Sequence, residues 1–327
     1  MRLIYSFLIL LVSFSSCARP PSSHFRGFAM NMPYHVEIGR AISRQDKLTI
    51  QKIIDGTFAQ VDQISNHWNA LSEVSLFNHS TSTEKKYISP YLLELINLAN
   101  NIVELSEGRY DPTLGPVIGI WKAALNQQKT PSSREILSCS NNTGWEHLHI
   151  ENNHIRKDIP KLHLDLDAVA KGMAVDVLIS ELVEYGYTDV CVEWAGEIRA
   201  HGQHIENRPW RIAIYRPENS PKDVIEMKNE AIATSGNYMQ YWAVPGSGGK
   251  MKLYSHLINK KNLKPLELGR NGILSISVKA PTCALADGLA TAAMLVENPE
   301  ELEKWTKKIQ ETIPGVSFWI VKKQSIE

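Results

Sequence analysis

The chain has 327 residues, of which 43% are hydrophobic and 21% are charged, and its mean hydropathy is -0.22. These values are typical of globular proteins and exclude disordered, collagen-like and multi-span membrane chains. The 35 basic and 35 acidic residues cancel, so the chain lacks the positive excess with which proteins coat a nucleic acid. Any anionic ligand is therefore expected to bind at a local site. The length of the chain is consistent with one domain or with two closely packed lobes.

The N-terminus is predicted to be an export signal. Arg2 precedes an apolar run over residues 3–14, which is too short to span a bilayer and has the length of a signal-peptide core. Small residues directly before Cys17 resemble a bacterial lipobox, in which the cysteine becomes lipid-modified. An ordinary cleaved signal with a chance cysteine is the alternative. The expected segments are a signal peptide over 1–16, a tether over 17–25 and a folded domain over 26–327, lipid-anchored through Cys17 and facing the periplasm or the cell exterior.

Two helices are predicted in the first third of the chain. Apolar residues recur at helical spacing over residues 46–68, which predicts one amphipathic helix. The second helix has Ser89 as its N-cap, Pro90 in its first turn and Gly108 just past its end.

The second half of the chain is predicted to consist mainly of strands. The glycine-rich stretch at 245–250 lacks the GxxxxGK[ST] pattern of a phosphate loop and is interpreted as a hairpin tip. Helices that precede strands, without regular alternation, predict an α+β fold with a mixed, mainly antiparallel sheet flanked by helices. The predicted elements are a strand at 162–166, a helix at 168–184, strands at 190–193, 198–201, 210–214, 231–234, 238–244, 251–256 and 273–278, a helix at 287–296, one further helix and a strand at 316–321.

A first candidate site lies in the stretch of small apolar residues that contains Asp287 and Thr291. Residues four apart share one helix face, and a carboxylate among apolar side chains needs a partner. Carboxylate, hydroxyl and carbonyl oxygens suit Mg²⁺. The alternative is that Asp287 caps a helix or pairs with a distant lysine, while Thr291 bonds back to a carbonyl.

A second candidate lies where the predicted strand at 162–166 leads into a helix. Asp165 and Asp167 precede Lys171 at the predicted start of the helix. The first N–H groups of a helix have no partner within it, and together with the cation of Lys171 they suit a phosphate. The alternative is an Asp167 cap with an Asp167–Lys171 pair on the surface.

Two further segments contain candidate binding residues. Tyr110 and Asp111 lie in a loop made rigid by two prolines and two glycines. Ser235 lies on a turn and could hold a phosphate, and His256 at a strand end could move a proton, although a structural histidine is the alternative.

Together these segments resemble the ApbE family of Mg²⁺-dependent FAD:protein FMN transferases. The order of motifs is matched along nearly the whole mature chain. Departures include Asp167 for a glycine, Gly288 for an alanine and Lys260 where the SHIxxP motif has proline. The matching segments are residues 27–32, 66–78, 108–121, 165–176, 195–202, 233–238, 255–260 and 286–293.

The resemblance implies an ApbE/T-fold-like core and a set of site residues. Asp287 and Thr291 would hold Mg²⁺ together with the backbone carbonyl of Ala168. The residues implied to bind FAD are Met30, Trp68, Tyr110, Asp111, Asp165 and Lys171, with Ser235 and Leu257 nearby.

The implied reaction transfers FMN from FAD to a threonine hydroxyl of a partner flavoprotein and releases AMP. His256 is the preferred general base and Asp287 its rival. The implied acceptors are subunits of sodium-pumping NADH:quinone oxidoreductase or Rnf type, close to the membrane. The alternatives are hydrolysis of FAD to FMN and AMP, or a lipid-anchored flavin-binding protein without turnover.

Overall fold

The computed structural model describes residues 22–215, 221–237, 241–246, 250–268 and 272–322. The predicted signal peptide and Cys17 lie outside the described residues. Within these ranges, no helix combines the length and the apolar character that a membrane span requires.

A seven-stranded antiparallel sheet forms the centre of the fold, in the order β1-β2-β6-β7-β10-β14-β15. Smaller sheets pair β11-β12-β13, β3-β5-β4 and β8-β9. The strands of the described residues are β1 (Ser23–Ala29), β2 (Met32–Ile38), β3 (Lys86–Tyr87), β4 (Leu148–Glu151), β5 (His154–Lys157), β6 (Val190–Trp194), β7 (Glu197–His201), β8 (Trp210–Tyr215), β9 (Pro221–Met227), β10 (Glu230–Gly236), β11 (Tyr241–Pro245), β12 (Met251–Asn259), β13 (Lys264–Glu267), β14 (Ile273–Ala280) and β15 (Ser317–Lys322).

Helices cover one face of this sheet, which confirms the predicted α+β class. α6 and α7 lie directly on the strands, and α1 and α3 pack against them from outside. The helices of the described residues are α1 (Arg44–Ile64), α2 (Glu73–His79), α3 (Pro90–Leu105), α4 (Gly115–Leu125), α5 (Ser133–Ser140), α6 (Asp167–Glu184), α7 (Cys283–Met294) and α8 (Pro299–Thr312).

Helices α6 and α7 approach each other closely at Gly172. A Cβ atom on this glycine would lie 2.4 Å from the carbonyl oxygen of Cys283, so any larger residue would push the helices apart. Asp176, one turn along α6, accepts hydrogen bonds from the first backbone N–H groups of α7, at Cys283 (2.8 Å) and Ala284 (2.9 Å). A carboxylate at this position satisfies donors that have no partner within their own helix. The two helices are therefore fixed in register.

The predicted helices are confirmed, with changes at their ends. The first ends at Ile64 rather than at residue 68. The second begins after Ser89, whose hydroxyl accepts from the N–H of Leu92 as expected of an N-cap. The predicted hairpin tip joins β11 to β12, where Gly246 donates to the carbonyl of Lys250 at 2.8 Å, while residues 247–249 lie outside the described ranges.

The predicted strand over residues 162–166 is wrong. Leu162, Leu164 and Leu166 are buried, so the alternating pattern is real, but their segment pairs with no strand of the described chain. The backbone N–H and C=O groups of this segment form hydrogen bonds with a side chain and with a loop carbonyl instead. Leu164 exchanges two hydrogen bonds with the amide of Asn78, and the N–H of Asp165 donates to the carbonyl of Pro112. Periodicity shows that a segment is extended, but it does not identify the hydrogen-bond partner.

The hairpin of β1 and β2 was not predicted from the sequence. Residues 23–25, assigned there to the tether, form the beginning of β1. Tyr34, Val36 and Ile38 alternate toward the core, which is the signal that could have identified β2.

The close approach of α6 and α7 predicts a large effect of Gly172→Ala. The added methyl group collides with backbone atoms of α7, so we expect the free energy of unfolding to fall by about 1–3 kcal/mol. The control is Gly56→Ala in α1, where a Cβ would meet no atom within 4 Å. That variant should gain about 0.5–1 kcal/mol. Urea denaturation measures both, and equal stabilities of the two variants would contradict the packing argument.

Candidate active site

A cavity of about 670 Å³ lies where the β1–β2 turn, the loop after α3, the start of α6, and strands β10 and β12 meet α7. Every residue that the sequence analysis assigns to the site lines this cavity, although these residues come from distant parts of the chain. They are Met30, Trp68, Tyr110, Asp111, Asp165, Ala168, Lys171, Ser235, His256, Leu257, Asp287 and Thr291. The structure brings these residues together in one cavity, while the role of each residue stays a prediction.

A charged cluster lies at the contact of α6 with α7. The Lys171 ammonium lies 3.2 Å from Asp287 Oδ2 and 3.1 Å from Glu197 Oε1. Both carboxylates are buried, and Asp287 Oδ2 also accepts from the N–H of Gly172 at 3.2 Å. One ammonium therefore faces two buried carboxyl groups, whose oxygens are of the type that a hard cation prefers as ligands.

Burial sets the acidities in this cluster. It raises the pKa of Glu197 to about 8, against the opposing pull of Lys171. It raises the pKa of Asp287 as well. Burial alone would lower the pKa of Lys171, but the carboxylates of Asp287 and Glu197 outweigh it and raise that pKa. The lysine consequently stays charged and holds its position between the acids.

Thr291 follows Asp287 by one turn of α7, and its hydroxyl lies 3.1 Å from the hydroxyl of Ser235. The predicted turn at Ser235 is wrong, because this residue lies within β10. The alternative that Asp287 pairs with a distant lysine is confirmed by its contact with Lys171. This contact does not exclude a cation site, since Glu197 Oε2 has no hydrogen-bond partner among the described residues and remains a potential ligand atom.

The start of α6 presents a second acidic pair to the cavity. Asp165 Oδ1 accepts from the N–H of Asp167, and burial together with the charge of Asp167 raises the pKa of Asp165 to about 6. Burial also acts to raise the pKa of Asp167, but a hydrogen bond from His67 opposes it, and the pKa of Asp167 lies below its usual value. Asp167 caps no helix, because the N-cap is Leu166, which makes no side-chain bond. The Asp167–Lys171 surface pair is also wrong, since the ammonium of Lys171 contacts the Asp287 carboxylate.

The loop after α3 holds an aromatic ring and an acid against the cavity. The N–H of Tyr110 donates to Ser106 Oγ, and Asp111 Oδ1 accepts from the N–H and the hydroxyl of Thr113. Asp111 Oδ2 lies 2.7 Å from the ammonium of Lys260. The lysine that replaces the proline of the SHIxxP motif thus supplies a counter-charge to a carboxylate that is only 1% exposed.

Aromatic and apolar residues form the mouth of the cavity. The Trp68 side chain is 79% exposed, next to the ring of His67 at a centroid distance of 4.9 Å. Met30 lies in the β1–β2 turn with a φ of 49°, a conformation common in tight hairpins. An exposed aromatic ring beside a cavity is suited to stack on a planar ligand.

Sequence reasoning missed Glu197 and Lys260 as site residues. Glu197 lies in the matching segment at 195–202, but nothing in its spacing indicates that it is buried beside Lys171. In the sequence, Lys260 stands out only as a departure from the family motif. Its pairing with Asp111 joins positions 149 residues apart, a distance along the chain over which side-chain spacing carries no information.

Comparisons with known proteins agree with the geometry. Residues 30–316 match the ApbE family, a range that contains all the cavity residues named above. The FAD:protein FMN transferase of Chlamydia muridarum is 35% identical over 93% of this chain and 94% of its own length. That of Vibrio cholerae is 34% identical over 88% of this chain and 86% of its own. The solved structure of flavin transferase ApbE from Vibrio cholerae has a TM-score of 0.78 and 32% identity, covering 93% of this chain and 95% of that one.

The Asp111–Lys260 contact predicts a stability effect. Lys260→Ala leaves the buried carboxylate of Asp111 without its cation, so we expect the free energy of unfolding to fall by about 1–3 kcal/mol. Lys261→Ala removes a neighbouring exposed lysine and should change stability by no more than about 0.5 kcal/mol. Urea denaturation compares them, and a Lys260 variant as stable as the Lys261 control would show that the ion pair contributes nothing.

Proposed function

This chain belongs to the ApbE family, and on that premise we propose that it is an FAD:protein FMN transferase. The reaction moves FMN from FAD to a threonine hydroxyl of an acceptor protein and releases AMP. The relatives that carry this activity in their names match almost the full length of the chain, which supports the same chemistry here.

The observation that carries the proposal is the meeting of all the predicted site residues in one cavity. Its volume of about 670 Å³ lies within the range of small-molecule and cofactor sites. The cavity offers aromatic rings for a flavin at Trp68 and Tyr110, and charged groups for a pyrophosphate at the α6–α7 contact. A dinucleotide needs both kinds of surface, one for its planar ring and one for its phosphates.

The residues at the α6–α7 contact fit a magnesium ion. Two buried carboxylates share one ammonium, and Glu197 Oε2 is a buried oxygen with no hydrogen-bond partner among the described residues. In the proposed site the ion is held by Asp287, Thr291 and the backbone carbonyl of Ala168, which are ligand types that Mg²⁺ prefers. When bound, the ion would polarise the pyrophosphate and offset charge on the leaving phosphate.

Lys171 contributes a second positive charge to the phosphate subsite. Its side chain is 28% exposed, so the ammonium reaches both the buried carboxylates and the cavity. A fixed cation beside the pyrophosphate stabilises the charge that develops in phosphoryl transfer, and it needs no reorganisation at that moment. The buried acids keep it in place.

The covalent step is a displacement at the phosphorus of the FMN half of FAD. The threonine oxygen forms a bond to this phosphorus, the bond to the bridging oxygen breaks, and AMP leaves with that oxygen. The hydroxyl proton goes to a general base. His256, half-buried on β12, is our candidate, because an imidazole accepts protons near neutral pH.

The proposed location is a bacterial membrane surface, reached by export and lipid modification of Cys17. This part of the proposal is supported by the sequence of residues 1–17 alone. An anchor there would place the cavity near membrane-bound acceptors, for which flavoprotein subunits of NADH:quinone oxidoreductase or Rnf type are the proposed class.

The test is mass spectrometry of such an acceptor subunit after incubation with this protein, FAD and Mg²⁺. We expect the mass of one FMN on a threonine, with release of AMP. Asp287→Asn should slow both by at least about 100-fold, since it removes an anionic ligand of the proposed Mg²⁺ site, whose ion would stabilise charge on the reacting phosphate. Asp55→Asn, on the exposed side of α1, should leave the rates unchanged.

Two other outcomes would reject transferase activity. Free FMN and AMP without labelled acceptor would indicate a hydrolase. Bound FAD with no AMP over hours would indicate a flavin-binding protein.

His256→Ala should retain FAD binding and lose transfer. General-base catalysis contributes about 10²–10⁴-fold, so the rate should fall within that range while the Kd for FAD, measured by flavin fluorescence, changes little. His154→Ala, on the exposed surface of β5, is the matched control. A wild-type rate in His256→Ala would assign the base to another residue.

A further inference from the structure

A second group of potential metal ligands lies on the opposite face of the large sheet from the helices. Within the described chain, His24, His35 and Glu37 place their ligand atoms within 4.8 Å of one another. His24 Nδ1 lies 3.0 Å from His35 Nε2 and 3.9 Å from Glu37 Oε2. The two imidazole rings are stacked, with an interplanar angle of 18°.

The register of the β1–β2 hairpin sets this arrangement. Met30 and Asn31 form its two-residue turn, with φ values of 49° and 62°, so that His24 pairs directly with Glu37. His35 is two residues from Glu37 and therefore faces the same side of the sheet. A shift of one residue would expose the buried side chains of the opposite face, such as Val36, so packing in the core holds the ligands together.

Polar neighbours orient the ligands. Ser22 Oγ lies 3.0 Å from His24 Nε2, which leaves the Nδ1 atom toward His35 and Glu37. The other carboxylate oxygen of Glu37 lies 3.6 Å from His204 Nε2. The ring of His204 stands edge-on against Trp210 at 5.3 Å. Such outer contacts typically fix the orientation of metal-binding imidazoles and carboxylates.

The distances suit a single transition-metal ion. Zinc lies about 2.0–2.2 Å from nitrogen and oxygen ligands, so two ligand atoms of a tetrahedral ion are about 3.4 Å apart. The separations from His24 Nδ1 to its two partners, 3.0 Å and 3.9 Å, lie on either side of that value, and all three ligand atoms lie within 4.8 Å of one another, so small side-chain rotations bring them to the ion. Imidazole ligands favour zinc and its neighbours over Mg²⁺.

We propose that His24, His35 and Glu37 bind a Zn²⁺-type ion, with a fourth position open to water, at a site separate from the flavin cavity. Met30 at the cavity follows His24 by six positions along the extended chain, which corresponds to about 20 Å. The His24 side chain is 41% exposed, so an ion enters from solvent. Because β1 is an edge strand with β2 as its neighbour in the sheet, the ion ties the beginning of the folded domain to the sheet.

The test is a Zn²⁺ titration of the full chain without a polyhistidine tag, at saturating Mg²⁺. We expect His24→Ala and His35→Ala each to weaken Zn²⁺ binding at least about 100-fold, and His204→Ala to weaken it about 10–100-fold. His154→Ala should bind as the wild type does. Bound Co²⁺ should show the visible absorption of a low-symmetry site in the wild type and lose it in the ligand variants.

Transfer of FMN with Mg²⁺ should be unchanged in all these variants, because the site lies outside the flavin cavity. Loss of transfer in an alanine variant would indicate a disturbed fold. In that case Glu37→Gln, which removes a ligand but keeps the side-chain volume, is used in the titration instead. Zn²⁺ affinity equal to that of the wild type in a folded ligand variant overturns the proposal.

Discussion

The contact of α6 with α7 at Gly172 is the constraint on which the cavity depends. It allows Lys171 on one helix to lie between Asp287 on the other and Glu197 on the sheet. Buried charges are tolerated only when they are paired, so each member of this cluster stabilises the position of the others. Asp176 adds to the same contact by satisfying the first N–H groups of α7. The chemistry of the site and the packing of the core are thus properties of one interface.

The β1–β2 hairpin connects two regions with different chemistry. Its turn, at Met30 and Asn31, lines the cavity, and its opposite end contains the histidines of the proposed metal site. The same register that buries Tyr34 and Val36 sets both ends, because side chains alternate across a strand. A change in the pairing of this hairpin would therefore affect the cavity and the histidine cluster together.

Much of the fold could be predicted because its signals are local. The Ser89 cap and the apolar periodicity identify helices through contacts within a few residues. The segment at 162–166 shows the limit of such signals. Its buried leucines resemble a strand, but its backbone bonds to Asn78 and Pro112 rather than to a neighbouring strand. The hydrogen-bond partners of an extended segment depend on the fold of the whole chain, so apolar periodicity does not predict them.

The sequence by itself determined the fold class, the family resemblance and twelve of the residues that line the cavity, because these are carried by motifs whose members lie close together in the chain. Only the tertiary structure decided which charges meet. The contact of Lys171 with Glu197, the pairing of Asp111 with Lys260 and the cluster of His24, His35 and Glu37 all join residues from separate elements. The energy of a charge depends on its burial and on its partners across the fold, and neither is set by neighbours in sequence.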